Sequence, residues 1–273
     1  ISMLCALCYS LAGMNWFDAI AHSMTTMSAG GYSTHDLSFG YFNDTNAPYV
    51  ATLFMFIAGL PQSLLAMMLL QGRIMPMIKD PQPRVYLLIA LVLSLVIVAY
   101  HEIVVDPRIF ETAAHAFKPV MAIFLVATFV GGCAGSAACG LKMFRLEISA
   151  KAIVAYSHRM TMPHRRTPIR YGGKVVDEET LQSVMVFVFL YLTTFLVAAA
   201  LLSLCGLDAI TAISGSATSV SNVGPGLGPI IGPSGTFQTL PDAAKWICAI
   251  AMLLGRLEFI SVFVVLTRRF WQG

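Results

Sequence analysis

The groups in this sequence best suited to chemistry are backbone carbonyls rather than side chains. Two segments run small and hydroxyl residues into a glycine turn: Thr25-Thr26-Met27-Ser28-Ala29-Gly30-Gly31-Tyr32 and Thr218-Ser219-Val220-Ser221-Asn222-Val223-Gly224-Pro225. Glycine accepts positive φ, so such turns can aim successive carbonyls at a shared axis. Rings of backbone oxygens are what a dehydrated monovalent cation needs in place of its water. A third cluster, Gly131-Gly132-Cys133-Ala134-Gly135-Ser136 with Gly140 beyond it, interrupts an apolar stretch. Irregular backbone at membrane depth is tolerated only where protein covers it or water lines it. The cluster therefore suits a flexible plug, or else a kinked helix with no gating role. Arg256 stands within the last apolar stretch. A charge there costs about 2.5–3.5 kcal/mol even on the lenient insertion scale, so it must face protein or water. It either opposes cations as a fixed charge or belongs to an ion pair between helices. Glu258, two residues on, points elsewhere on a helix and is not an i,i+4 partner.

Other chemistries fit poorly. His22 and His35 are far apart in the chain with no further ligands clustered near them, so solvated or pore-helix histidines are the better reading. Cys5 and Cys8 form a C-x-x-C, but there is neither a βαβ pattern nor a second pair for zinc. The six cysteines all lie in or beside apolar runs and read as small apolar fillers. Gly135 to Gly140 has phosphate-loop spacing, yet Leu141 stands where the lysine should. Asn43-Asp44-Thr45 matches a glycosylation triplet, which matters only in a eukaryotic secretory route. An enzyme is not indicated.

The elements that must position these turns are membrane helices. Of 273 residues, 57% are hydrophobic and 11% charged, against about 25% charged in ordinary soluble domains. Mean hydropathy is +0.75. This composition excludes a disordered chain, a nucleic-acid-binding surface and a disulfide-built scaffold. Apolar stretches occur at 1–13, 49–70, 85–100, 117–143, 181–204 and 243–266. They are too long and too continuous for strands, and lipid leaves the backbone no partner but itself. The first stretch has no starting methionine and no basic lead, which reads as the end of a membrane helix whose beginning is missing.

Charge sets the orientation. Of the 17 Lys and Arg residues, thirteen follow the second, fourth and last stretches, most of them between Lys142 and Lys174. Only Arg108, Lys118 and Lys245 lie in the alternate segments, apart from Arg256. The positive-inside rule therefore places the C-terminus in the cytoplasm. The opposite segments are acidic, with Asp18, Asp36, Asp44, Glu102, Asp106, Glu111, Asp208 and Asp242. An acidic outer mouth would concentrate cations, although outer loops are polar in any case. Residues 16–27 and 207–218 read as helices too short to cross. Each carries an Asp expected in its first turn and points its negative end toward a glycine turn. The recurrence is an internal repeat.

These residues carry a family resemblance. Phe17-Asp18-Ala19-Ile20 through Gly30-Gly31-Tyr32-Ser33-Thr34-His35-Asp36 resembles the second repeat of TrkH-type subunits in the Trk/Ktr/HKT superfamily of potassium transporters. Gly131 to Ser136 resembles the third-repeat gating loop, Asn222 to Gly228 the fourth filter, and Gly255-Arg256-Leu257-Glu258 the last helix. The resemblance covers essentially the whole chain. It implies an all-α integral membrane protein of the bacterial inner membrane, built of helix–pore-loop–helix units around a pseudo-fourfold pore, incomplete here.

By that resemblance Ala29, Gly30, Gly31, Tyr32, Asn222, Val223, Gly224 and Pro225 form the K⁺ filter through their carbonyls. Gly131, Gly132, Cys133, Ala134, Gly135, Ser136, Gly140 and Arg256 form the gate. The implied layout is a second-type repeat over 1–79, with pore loop 16–36 and inner helix 48–72. A third-type repeat over 84–150 has a broken inner helix at 117–147. A basic cytoplasmic loop follows at 151–180. A fourth-type repeat over 181–273 has pore loop 207–228 and inner helix 243–267. Potassium is the only ligand implied. Nucleotide or NAD is expected on a separate cytosolic regulatory ring, alongside a homodimer in lipid and no nucleic acid.

The sequence departs from the family in three ways. The first repeat is absent. Glu111 to Phe117 begins like a pore helix but passes into Lys118-Pro119-Val120-Met121 with no filter between. The gating loop carries Ala137, Ala138 and Cys139 where the family has more glycine and a threonine. A degenerate, non-conducting scaffold or assembly partner is therefore the alternative to a potassium channel-like subunit. A secondary transporter fits less well, since the breaks lie in re-entrant loops and Glu258 is the only carboxylate within a span.

Overall fold

The computed structural model describes residues 1–42, 46–72, 74–104, 123–138, 140–162, 168–232, 235–257, 264–265 and 267–272. The third-unit junction at Glu111 to Met121, the Asn43 triplet, Cys139 and Glu258 lie outside the described residues.

The first unit begins with α1 (Ser2–Leu11), α2 (Trp16–Ser28) and α3 (Ala47–Ala58). They pack on Cys5, Tyr9, Met14, Ala19, Phe42 and Phe54. Next come α4 (Gln62–Gln71), α5 (Met75–Lys79) and α6 (Pro81–Val104). Residues 123–129 are helical, and the chain re-enters helix at α7 (Met143–Thr161). An antiparallel hairpin of β1 (Arg170–Tyr171) and β2 (Lys174–Val175) follows. The last unit is α8 (Glu178–Leu204), α9 (Ala209–Ser221), α10 (Gly228–Ile231) and α11 (Asp242–Arg256). α9 is wedged between α8 and α11. One side packs with Phe187, Tyr191, Val220 and Ala251, the other with Leu202, Ala212, Ile231 and Cys248.

The structure modifies several expected elements. The stretch 49–70, and with it the inner helix expected at 48–72, is two helices that meet at 99° across Gly59-Leu60-Pro61. Pro61 has no N–H to continue the ladder, and its ring excludes the carbonyl four residues back. The helix beyond the glycine cluster runs to Thr161, past the expected boundary at 150, so the basic loop opens with helix. Arg256 is the last residue of α11 and is exposed, rather than mid-helix. The chain also contains one small hairpin that an all-α description omits.

Among the described residues α8 alone is long and apolar enough to cross a membrane. The bent pair α3 and α4 makes a second if counted as one span. Only 22% of the apolar window of α8 is buried inside the chain, which leaves most of that surface for lipid. Its start is set by Asp177, which accepts from the Thr180 amide, with Glu178 and Glu179 complementing the helix dipole.

Candidate functional site

α2 and α9 are equal in length and built alike. Asn15 caps α2 by accepting the Asp18 amide at 2.8 Å, and Asp208 caps α9 by accepting the Thr211 amide at 3.2 Å. The two expected first-turn acids are therefore not equivalent: Asp18 lies inside its helix and Asp208 just before its own. Both helices end on a left-handed residue, Ala29 at φ 51° and Asn222 at φ 53°. The next amide then reaches five residues back, Gly30 to Thr25 at 2.9 Å and Val223 to Thr218 at 3.0 Å. This is the closure of a Schellman turn. Each is followed by glycine at positive φ, Gly31 at 70° and Gly224 at 110°.

The two turns meet each other. A Cβ on Gly31 would lie 2.5 Å from the Val223 carbonyl oxygen and 2.6 Å from Pro225 Cδ. A Cβ on Gly224 would overlap the Gly30 carbonyl oxygen. All eight residues singled out as the filter are thus in or beside one junction of the two turns. Tyr32 sits at its margin, exposed, with its hydroxyl donating to Met252 Sδ at 3.7 Å. Asn222 Nδ2 donates to the Met252 carbonyl at 3.0 Å and ties the second turn to α11. A Cβ on Gly255 would overlap the Val220 carbonyl, so α11 approaches α9 as closely as backbone allows.

The turns are braced by different chemistry. Buried Asp18 accepts from Thr34 Oγ1 at 2.6 Å, Asn15 Nδ2 at 2.8 Å and His35 Nε2 at 3.1 Å. The Thr34 hydroxyl first, then His35, holds its carboxyl below the usual range despite burial. His22 donates from Nδ1 to the Asp18 carbonyl at 2.8 Å, which leaves Nε2 to accept from Ser33 Oγ at 3.0 Å. His35 stacks on Tyr41 at 3.7 Å. Both histidines therefore gather at Asp18, His35 on its carboxylate and His22 on its backbone carbonyl. The second turn is braced by neutral groups. Leu227 N donates to Ser214 Oγ at 3.0 Å, Ser216 Oγ donates to the Phe195 carbonyl at 2.7 Å, and Tyr191 shares a hydrogen bond with Ser221.

The glycine cluster is docked on the bend between α3 and α4. Cys133 N donates to the Gly59 carbonyl at 3.0 Å and Ala137 N to the Ala58 carbonyl at 3.2 Å. Gln62 N donates to the Gly135 carbonyl at 3.1 Å. Gly131 N and Leu141 N bond across the loop to the Leu141 and Phe129 carbonyls. Arg256 joins Ser136, Ala137, Ala138 and Gly140 around a cavity of about 160 Å³. Lys142 and Arg145 also line it, and the Arg145 guanidinium lies 3.6 Å from the Phe187 ring centroid. Three basic side chains thus gather beside the interrupted loop. Lys142 and Arg145 were legible as basic residues but not as neighbours of Arg256. Gly59-Leu60-Pro61 was legible as a break but not as the loop's docking site.

Comparison with known proteins matches this arrangement. A family model described as TrkH, cation transport protein, covers residues 1–107 and 113–272. The Trk system potassium uptake protein TrkI of Halomonas elongata is 34% identical over 292 aligned positions, covering 99% of this chain and 59% of that protein. TrkH of Escherichia coli is 30% identical, covering all of this chain and 60% of its own length. The crystal structure of the potassium transporter TrkH from Vibrio parahaemolyticus superposes with a TM-score of 0.84 at 29% identity, over 99% of this chain and 62% of that one. The chain thus spans about three fifths of the relatives it matches. The alignment to TrkI is longer than this chain, so that relative carries residues this chain lacks. The family match is itself interrupted at 108–112. With most of the chain matched, the protein belongs to the TrkH family of cation transport proteins.

Proposed function

We propose that this chain forms part of a potassium pathway across the bacterial inner membrane. Gly31 and Gly224 carry the carbonyl turns, and the loop at 131–140 is an intramembrane gate beside Arg256. The observation that carries this reading is the meeting of two matched pore helices, each ending on a left-handed residue and a glycine whose Cβ would strike the opposite turn. Backbone carbonyls gathered at a junction of two glycine turns are the ligands a dehydrated monovalent cation needs. The negative helix ends at Ala29 and Asn222 add to the attraction. The basic segment from Lys142 to Lys174 would be cytoplasmic and would meet a nucleotide-binding ring subunit. Two such chains would pair in the membrane.

The test is potassium uptake by transport-deficient cells on limiting potassium, comparing this chain with a version that supplies all four repeats. Growth with the four-repeat version is the expected result. Failure of both would overturn the potassium reading. The second reading, a non-conducting scaffold, is favoured by the direct contact of the two turns, since a carbonyl aimed at Gly31 is not aimed at an ion. Assembly with a conducting subunit, without flux of its own, is what that reading expects.

A further inference from the structure

The gating loop has a contact that the family resemblance does not assign. Gln82, on the first turn of α6, accepts the Ala134 amide through Oε1 at 2.7 Å, across 52 residues of chain. Its backbone N–H donates to Asp80 Oδ1 at 2.9 Å. Tyr86, one turn along the same face, sets its hydroxyl against Gly59, closely enough to exclude a Cβ there. Gly59 is also the residue whose carbonyl holds Cys133. One face of α6 therefore grips both halves of the junction, the loop through Gln82 and the bend through Tyr86.

The other side of Gln82 faces the hairpin. The Tyr171 hydroxyl is buried against the Gln82 side chain, near Glu147 of α7, Asp80 and Cys133. Burial first, then these three groups, keeps it protonated well above the ordinary tyrosine range. It forms no hydrogen bond of good geometry among the described residues. An amide with its oxygen committed to Ala134 still has two N–H donors, so a small shift of the hairpin would complete a hydrogen bond to the Tyr171 hydroxyl.

We propose that Gln82 is a positioning residue that latches the loop through the Ala134 amide, and that Tyr171 links this latch to the hairpin at 170–175. The proposal rests on the potassium reading only in naming the loop a gate. A force on the hairpin then changes the Gln82 side chain before it changes any helix.

The test uses the full-length protein in membranes, with Cys133 as its only cysteine. Cys133 is fully buried in the docked loop, so its labelling by a small permeant maleimide reports undocking. Gln82→Met keeps the shape and removes the acceptor. It should speed labelling about tenfold, as loss of one buried hydrogen bond does. Gln82→Glu keeps an acceptor and should restore most of the protection. Tyr171→Ala should also speed labelling, and adding it to Gln82→Met should give no further gain, the mark of two residues acting through one contact. A second version with Cys248 alone, on α11 and buried against Leu202, Ala212 and Ile231, should stay at the parent rate throughout. Parent-rate labelling in Gln82→Met, equal rates in the Met and Glu variants, or a parallel rise at Cys248 would overturn the latch. Multiplying effects in the double variant would overturn the link to the hairpin. The expected labelling pattern in a protein that moves no potassium would support the latch and sink the potassium reading instead.

Discussion

Gly31 and Gly224 are under two separate demands. Each has a backbone that an L side chain enters only at a cost of about 1–2 kcal/mol, and each faces a carbonyl where a Cβ would stand. Relief of one demand leaves the other. Gly31→Ser and Gly224→Ser should therefore each part the turns and lower the preference for potassium over sodium. Unchanged selectivity in a conducting form would remove these residues from the filter. Asp18 answers to pH. Its carboxyl is held below its unfolded value by Thr34 and His35. The stabilisation is thus fully present above the ordinary aspartate range, near pH 4, and is lost as pH falls through the folded value. Thermal midpoints followed from neutral to acid pH should drop more steeply for the parent than for Asp18→Asn. Parallel profiles would show that the carboxylate does not matter there.

At the scale of elements, two broken helices complete each other. The bend frees the carbonyls of Ala58 and Gly59, and the loop frees the amides of Ala137 and Cys133; each set is the other's partner. Unpaired backbone groups are costly away from water, so neither break is stable alone. Pro61→Ala restores an N–H at the bend and favours a straighter helix. Hydrogen exchange at the Cys133 and Ala137 amides should then rise about tenfold, and unchanged protection would show that the bend does not hold the loop. Much at this scale was legible beforehand. The two short helices were legible in Asp18, Asp208 and the Thr/Ser runs, because helix starts and turns are local in sequence. The two roles of Asp18 and Asp208 were not, since a first-turn acid and a cap look alike without dihedral angles. The docking of residues 131–137 on 58–62 was hidden for a different reason. It is made by backbone atoms, which every sequence has, and side-chain identity says nothing about which amide meets which carbonyl.

For the whole molecule, the repeat was legible and its meeting point was not. The matched ends of α2 and α9 follow from turn chemistry, whereas their contact depends on how α3, α8 and α11 pack. Those contacts run through small residues such as Gly255, whose close approach to Val220 leaves no trace in a hydropathy pattern. One asymmetry between the halves makes them differ in their response to pH. The turn at Gly31 leans on Asp18, His22 and His35, whereas the turn at Gly224 leans on Ser214, Ser216 and Tyr191. Protonation of Asp18 therefore loosens the brace at Gly31 directly, whereas Asp208, the acid of the other unit, caps the far end of α9 from Gly224. A fall in pH through the folded range of Asp18 would slacken the frame at Gly31 while the hydroxyl bonds beside Gly224 stay in place.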